Sequence, residues 1–259
     1  MGRTVLITGA SSGIGHELAL LFARDGFDCV ITARRVDRLE ALAEQVRREH
    51  RVRVSVIAAD LADPGSPERI FAAIQAAGME IDVLVNNAGF PTYGHFSELD
   101  SRAELDELQV NVVALTHLTK LFLPGMVERR DGRILNLAST AAFEPGPLMA
   151  VYYASKAYVL SFSQALGNEL AGTGVSITAL CPGITRTGFQ EAGAMGDSRL
   201  VQGRMADAAS VALVGYRGVM ARKSVVIPGF ANKLVPLAVR LAPRSVVTRM
   251  VRRAQERVH

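Results

Sequence analysis

Val5-Leu6-Ile7-Thr8-Gly9-Ala10-Ser11-Ser12-Gly13-Ile14-Gly15 runs from an apolar, strand-like stretch into the helical pattern Glu17-Leu18-Ala19-Leu20-Leu21-Phe22-Ala23. Its glycines therefore sit at a strand-to-helix turn. Backbone amides at a helix start attract phosphate. Glycine at 9, 13 and 15 lets the chain turn sharply and lets a pyrophosphate approach the backbone where a Cβ would intrude. The spacing is Gly-x-x-x-Gly-x-Gly, distinct from the commoner Gly-x-Gly-x-x-Gly in the place of its middle glycine.

Outward from this turn, short β-rich runs at residues 5–7, 29–32, 52–57, 83–85, 134–137, 175–180 and 225–227 alternate with longer helical patterns. Such alternation predicts parallel strands joined by helical crossovers. The expected fold is α/β: a Rossmann-like, doubly wound, predominantly parallel seven-stranded sheet with helices on both faces. At 259 residues, 49% hydrophobic and 21% charged, the chain suffices for one large core. Ligands in such sheets bind outside the carboxyl ends of the strands, where the winding reverses. The polar residues of interest fall at those ends.

A second stretch, Tyr152-Tyr153-Ala154-Ser155-Lys156, pairs with the first. Tyr152 and Lys156, four apart, project from one helix face and can approach one substrate and one ribose. A free tyrosine titrates at about 10 and is a poor base at neutral pH. An ammonium beside it stabilises the phenolate and is expected to move Tyr152 towards the working range.

Asn86-Asn87-Ala88-Gly89, Asn111, Ser139 and Pro182-Gly183 complete an ordered set. From about Arg3 to Gly229 the chain resembles the short-chain dehydrogenase/reductase family. The resemblance implies hydride transfer between a nicotinamide and a carbonyl or alcohol carbon, with Tyr152 giving the proton in reduction and taking it in oxidation. Lys156 then tunes Tyr152 and holds the nicotinamide ribose. Ser139 donates a hydrogen bond to the reacting oxygen, and Asn111 supports a proton-relay water near Lys156. Tyr153 is also a helical neighbour of Lys156, but the family's Tyr-x-x-x-Lys spacing selects Tyr152. Each polar residue has a structural alternative: a buried Asn satisfies a helix kink, and a Ser ends a strand.

The same resemblance places the dinucleotide on Gly9, Ser11, Ser12, Gly13, Ile14 and Gly15, with Asp60 and Leu61 at the adenine. Asn86, Ala88 and Gly89 follow the fourth strand, and Pro182, Gly183, Ile184 and Thr187 approach the nicotinamide. Relatives that prefer NAD carry an acid near Ala33. Here Ala33 is followed by Arg34 and Arg35, permanently charged donors suited to a 2′-phosphate. NADP(H) is therefore expected in preference to NAD(H), with Arg34 the leading contact and Ser11 adding a hydroxyl. On the residues alone, Arg34, Arg35 and Arg38 could instead open a solvated helix, and Asp60 could be a turn former.

Other chemistries find no support. His16, His95 and His117 lack metal-ligand spacing, and no Gly-x-Ser-x-Gly elbow points to a hydrolase. No reader motif for nucleic acid accompanies the basic residues. The expected partner is a small carbonyl compound or alcohol, lipophilic in character. Residues 188–205, with the small-residue run Ala192-Gly193-Ala194-Met195-Gly196, are expected to form a mobile lid. Phe90, Pro91, Tyr93, Phe143, Pro145, Leu148 and Met149 either line an apolar pocket or simply pack. The family resemblance implies a homodimer or homotetramer through helices around 103–127 and 152–170.

The carboxyl end differs in charge. From Lys233 to His259 seven Lys or Arg face one acid, net +6, against +4 for the whole chain, so the other 232 residues carry −2. Residues 245–257 read as an amphipathic basic helix with Val246, Val247, Met250, Val251 and Ala254 on one stripe and Arg257 imperfectly placed. Residues 1–229 are expected as one dinucleotide-binding and catalytic domain, and 230–259 as a basic extension packed on it or appended to it. That extension closes the substrate side, docks on a partner subunit or touches an anionic membrane; Pro228, Pro236, Lys233 and Arg240 argue against a spanning helix. A first strand starting by Arg3 leaves no room for a signal peptide, and Cys29 and Cys181 in apolar runs fit a reducing compartment. A cytoplasmic protein is expected, with or without peripheral membrane contact. The alternative of a different class is an NADPH-binding sensor or membrane-docking protein with little turnover.

Overall fold

The computed structural model describes residues 2–193, 196, 198–203 and 205–256. Along the chain run β1 (Thr4–Thr8), α1 (Gly13–Arg24), β2 (Asp28–Ala33), α2 (Val36–His50), β3 (Val54–Ala58), α3 (Ser66–Ala76) and β4 (Val83–Asn86). Next come α4 (Ser101–Leu108), a π-helical turn over Gln109–Ala114, α5 (Leu115–Glu128), β5 (Gly132–Leu137), α6 (Ala150–Glu169) and β6 (Val175–Leu180). The carboxyl third holds β7 (Thr185–Arg186), the short helices α7 (Phe189–Ala192) and α8 (Arg199–Gln202), β8 (Ala206–Asp207), α9 (Ala208–Met220), β9 (Val225–Val226), α10 (Phe230–Leu241) and α11 (Arg244–Gln255).

Seven strands form one wholly parallel sheet in the order β3-β2-β1-β4-β5-β6-β9. The side-chain alternation of a strand explains its two cores. Val5, Ile7, Val83 and Val85 point to the face covered by α1, α2 and α9, where Leu18, Phe22, Leu39 and Val219 meet them. Leu6 and Leu84 point to the other face, among Ile70, Leu118, Phe122 and Met126 of α3 and α5. Burying both faces is what turned these strands into near-continuous apolar runs.

The winding reverses between β1 and β4, so the loops after β1, β4, β5 and β6 converge on one edge. The expected lid at residues 188–205 is described only in part: Ala194, Met195, Asp197 and Arg204 lie outside the described residues, as does Arg257.

Candidate active site

A cleft of about 830 Å³ opens at this edge. Gly9, Ser11, Ser12, Gly13, Ile14, Arg34, Arg35, Asp60, Leu61, Ala88 and Gly89 line it together with Ser139, Tyr152, Lys156, Pro182, Gly183, Ile184 and Thr187. Three of the sequence-predicted residues, Gly15, Asn86 and Asn111, do not. Tight packing explains the glycine turn. Gly13 has φ +58°, and a Cβ there would lie 2.7 Å from Thr187 Cγ2. Helix α1 starts at Gly13 with no acid in its first turn and no capping side chain, which leaves its amides and dipole for an anion.

Asn87, not Asn86, ties this turn together. Its Nδ2 donates to Thr8 O (2.9 Å) and Gly9 O (3.2 Å), while Thr8 Oγ1 accepts from the amides of Asn87 and Ala88 at 3.0 Å each. Asn86 ends β4 with its side chain on the same face as Leu84, two residues before it. Its Nδ2 donates to Thr119 Oγ1 (3.1 Å) and Asn136 Oδ1 (2.9 Å), in the buried layer behind the cleft. Against expectation, the Asn86 side chain is turned from the cleft, whereas Asn87 lines it. Gly15 packs beneath Gly9 and the Asn87 side chain rather than facing the cleft.

At the outer end, Arg35 Nη2 donates to Ser11 Oγ (3.1 Å) and Ser12 Oγ (2.9 Å). Arg35 is thus the ordered guanidinium over the glycine loop, and Arg34 and Arg38 stand exposed beside it. Asp60 Oδ1 accepts from Ala62 N at 3.0 Å, the turn-forming contact, while Asp60 still borders the cleft.

The inner end holds the titratable groups. Lys156 Nζ donates to Leu137 O (2.9 Å) and lies 5.6 Å from the centroid of the Tyr152 ring. Ser139 Oγ accepts from Ala141 N (3.1 Å) and donates to Pro182 O (3.4 Å), and it lies near enough to the Tyr152 hydroxyl to act on its acidity. Burial pushes the Tyr152 hydroxyl well above its ordinary range, opposed by the Ser139 contact, and pushes Lys156 down to about 8. The expected shift of Tyr152 towards neutrality is not seen in this geometry. Desolvation penalises the charged form of each group, and the Lys156 ammonium bonds a backbone carbonyl instead of the phenol oxygen.

Asn111 sits buried in the π-helical turn. Its Oδ1 accepts from Phe90 N (3.2 Å), and its Nδ2 donates to Phe90 O and Ser155 Oγ, both at 3.1 Å. It clamps the loop after β4 to α6. A Cβ on Gly89 would lie 2.8 Å from Asn111 Oδ1 and 3.3 Å from Lys156 Nζ, so Asn111 and Lys156 press on one glycine from two helices.

Glu107 is a further group at this end that the sequence did not point out. It is fully buried at the end of α4, with Oε2 accepting from Thr92 N (2.8 Å) and Thr92 Oγ1 (2.7 Å), and Oε1 has no partner among the described residues. Burial raises its carboxyl to about 7; Thr92 and the Lys156 charge oppose the rise, and Glu104 adds to it.

Of the apolar candidates, Phe90 and Met149 line the cleft, whereas Pro91, Tyr93, Phe143, Pro145 and Leu148 do not. Tyr93 and Leu148 pack in a cluster with Met149, Tyr152 and Tyr153. Tyr153, the helical neighbour of Lys156, and Phe189, from the expected lid, join the lining, as do Glu144 and Asn232, which the sequence did not point out. Val247 and Val251 of α11 cover that cluster. Gln255 Nε2 donates to the Tyr153 hydroxyl (2.6 Å), and the Tyr93 hydroxyl donates to Gln255 O. Of the apolar stripe read on α11, Val247 and Val251 turn inward, Val246 is half-buried, and Met250 and Ala254 are exposed.

Residues 3–195 match the family model for short chain dehydrogenases. The chain belongs to the short-chain dehydrogenase/reductase family. As a member it is an oxidoreductase with that family's parallel, Rossmann-like sheet. Sulfoacetaldehyde reductase of Chromohalobacter salexigens is 38% identical over 191 residues, 73% of this chain and 75% of its own. A short-chain dehydrogenase from Sphingobium yanoikuyae, solved in complex with NADPH, is 33% identical with a TM-score of 0.84 over 98% of both chains. One from Burkholderia phymatum, solved in complex with NAD, is 25% identical with a TM-score of 0.82 over 100% of this chain and 98% of that one. Dinucleotide choice therefore has to be argued from this chain's own residues.

Proposed function

We propose that this short-chain dehydrogenase/reductase is an NADP(H)-dependent enzyme that interconverts a ketone or aldehyde and its alcohol. One observation carries the reading: a single cleft joins the guanidinium groups of Arg34, Arg35 and Arg38 to the Tyr152–Ser139 pair. The residues fit the dinucleotide. The first-turn amides of α1 suit a pyrophosphate, and the three guanidiniums beside Ala33 suit a 2′-phosphate, which an acid at that position would repel. The NADPH complex of the Sphingobium yanoikuyae relative is consistent with this preference.

A bound nicotinamide supplies or accepts the hydride. The chain's own residues handle the proton and the charge. Tyr152 Oη keeps its proton at neutral pH because burial holds it above its ordinary range, which suits an acid that protonates a carbonyl oxygen. Ser139 Oγ, beside that hydroxyl, steadies negative charge developing on the same oxygen. Lys156, titrating at about 8, is mostly cationic at neutral pH and stabilises the phenolate left behind. Asn111 acts through position, holding Phe90 and Ser155 around Lys156. Oxidation requires Tyr152 deprotonated first, so it gains on raising the pH while reduction declines.

The apolar walls supplied by Phe90, Met149, Tyr153 and Phe189 favour a lipophilic carbonyl. We assign residues 1–229 to the dinucleotide-binding and catalytic unit, which the basic segment 230–259 completes in a cytoplasmic homodimer. Exposed Leu105, Val113 and Tyr158 on α4, the π-helical turn and α6 offer the dimer contact. The test is NADPH consumption with aliphatic, aromatic and steroid-like ketones, with NADH in parallel and the alcohol product identified. Tight NADPH binding without turnover of any carbonyl or alcohol would replace this reading with a sensing role.

A further inference from the structure

Helix α10 places none of its residues in the buried core. Phe230, Leu234, Leu237 and Leu241, at i, i+4, i+7 and i+11, are 80%, 51%, 57% and 79% exposed. At 3.6 residues per turn they form one narrow stripe. The opposite side faces the protein. Val239 packs against the cluster of Tyr152 and Tyr153, and Asn232 borders the cleft while donating to Pro228 O at 2.7 Å. The stripe therefore points straight away from the domain, beside the cleft mouth.

The charge around it has one sign. Between residues 208 and 255 the chain carries nine Lys or Arg and no Asp or Glu. Lys233 and Arg240 flank the stripe on α10 and Arg244 follows it, all exposed. An exposed apolar row of this kind marks a docking surface. A two-fold contact between copies would set the same patch against itself, opposing these cations with no carboxylate on either helix. An anionic lipid surface satisfies both features, taking the leucines at the headgroup–acyl boundary and the cations at the phosphates.

We propose that α10 docks reversibly on an anionic bilayer and brings the mouth of the cleft to the lipid surface. The contact is peripheral. Ser101–Glu128 is long and apolar enough to cross a membrane, but Leu115, Leu118, Phe122 and Met126 of its second half are buried in the core. Val247 and Val251 of α11 are likewise buried against the protein, so α10, with its four exposed large apolar side chains, supplies the apolar contact.

The test is sedimentation of the full chain with phosphatidylglycerol and with phosphatidylcholine vesicles, read as the fraction bound. The chain is expected on the anionic vesicles and not on the neutral ones, with release near 1 M salt, where charges are screened within about 3 Å. Leu234→Glu with Leu237→Glu is expected to weaken binding by at least about tenfold while Tm stays at the wild-type value. Lys233→Ala with Arg240→Ala and Arg244→Ala keeps the stripe and is expected to abolish the preference for anionic vesicles, so a misfolded leucine variant leaves the proposal testable. Absence of vesicle binding, equal binding to both lipids, or a change of oligomeric mass in the leucine variant without vesicle binding would overturn it.

Discussion

Replacing Asn87 with alanine removes the one side chain that bonds both carbonyls of the glycine turn, Thr8 O at 2.9 Å and Gly9 O at 3.2 Å. Asn87 is buried, and leaving buried acceptors unpaired costs about 1–3 kcal/mol. For a chain of this size that lowers Tm by roughly 2–4 °C per kcal/mol. The same turn is the proposed pyrophosphate cradle, so the variant should also lose NADPH affinity. At 100 times Kd a ligand stabilises by about 2.7 kcal/mol; a tenfold weaker Kd at the same concentration leaves about 1.4 kcal/mol. Thermal melts with and without NADPH separate the two effects: a lower Tm in the free protein, and an NADPH-induced rise cut by about half. A variant with wild-type Tm and a wild-type rise would refute the assignment of Asn87 as the staple of the cradle.

Arg35→Ala and Arg34→Ala should each weaken NADPH binding by about tenfold or more, since a charge-assisted bond contributes roughly 1.5–3 kcal/mol, while NADH binding changes little. Equal losses for both dinucleotides, read by fluorescence titration, would count against a 2′-phosphate site. Glu107→Gln tests the buried carboxyl through pH. Burial raises it to about 7 in the folded protein, above the ordinary 4.5 of a glutamate, so the folded state binds more protons in that window. Stability from this group is therefore present below 4.5 and lost as pH rises to about 7. The variant is expected to gain Tm over wild type at pH 8 and to match it near pH 4.5; a difference that does not vary with pH would contradict the raised carboxyl.

The sheet was legible because strands buried on both faces must be apolar at successive positions, as in Val5-Leu6-Ile7 and Val83-Leu84-Val85. Tyr152 and Lys156 were legible because a helix puts positions four apart on one face. Of the asparagine doublet, Asn86 was expected at the cofactor, but which of Asn86 and Asn87 enters the cleft depends on the side-chain phase at the end of β4, and Asn87 lines it. Glu107 gave no signal beside Asp106 in a helix of mixed charge; its burial is set by Thr92, 15 residues away. Gln255 meets Tyr153 across 102 residues of sequence, and only the packing of α11 reveals it. The same packing buries Val247 and Val251 of α11 and leaves the longer apolar row exposed on α10. The rise of the Tyr152 pKa reflects depth of burial, which the Tyr-x-x-x-Lys spacing does not encode.

Reduction by this cleft depends on proton transfer from Tyr152 Oη. Its most direct test is steady-state NADPH oxidation by wild type, Tyr152→Phe and Tyr153→Phe on one ketone that the wild type reduces, with NADPH Kd measured for each. Tyr152→Phe is expected to lose kcat by on the order of 10²–10⁴ with Kd for NADPH unchanged, and Tyr153→Phe to keep most of its turnover. Near-wild-type kcat in Tyr152→Phe, or the larger loss in Tyr153→Phe, would contradict it.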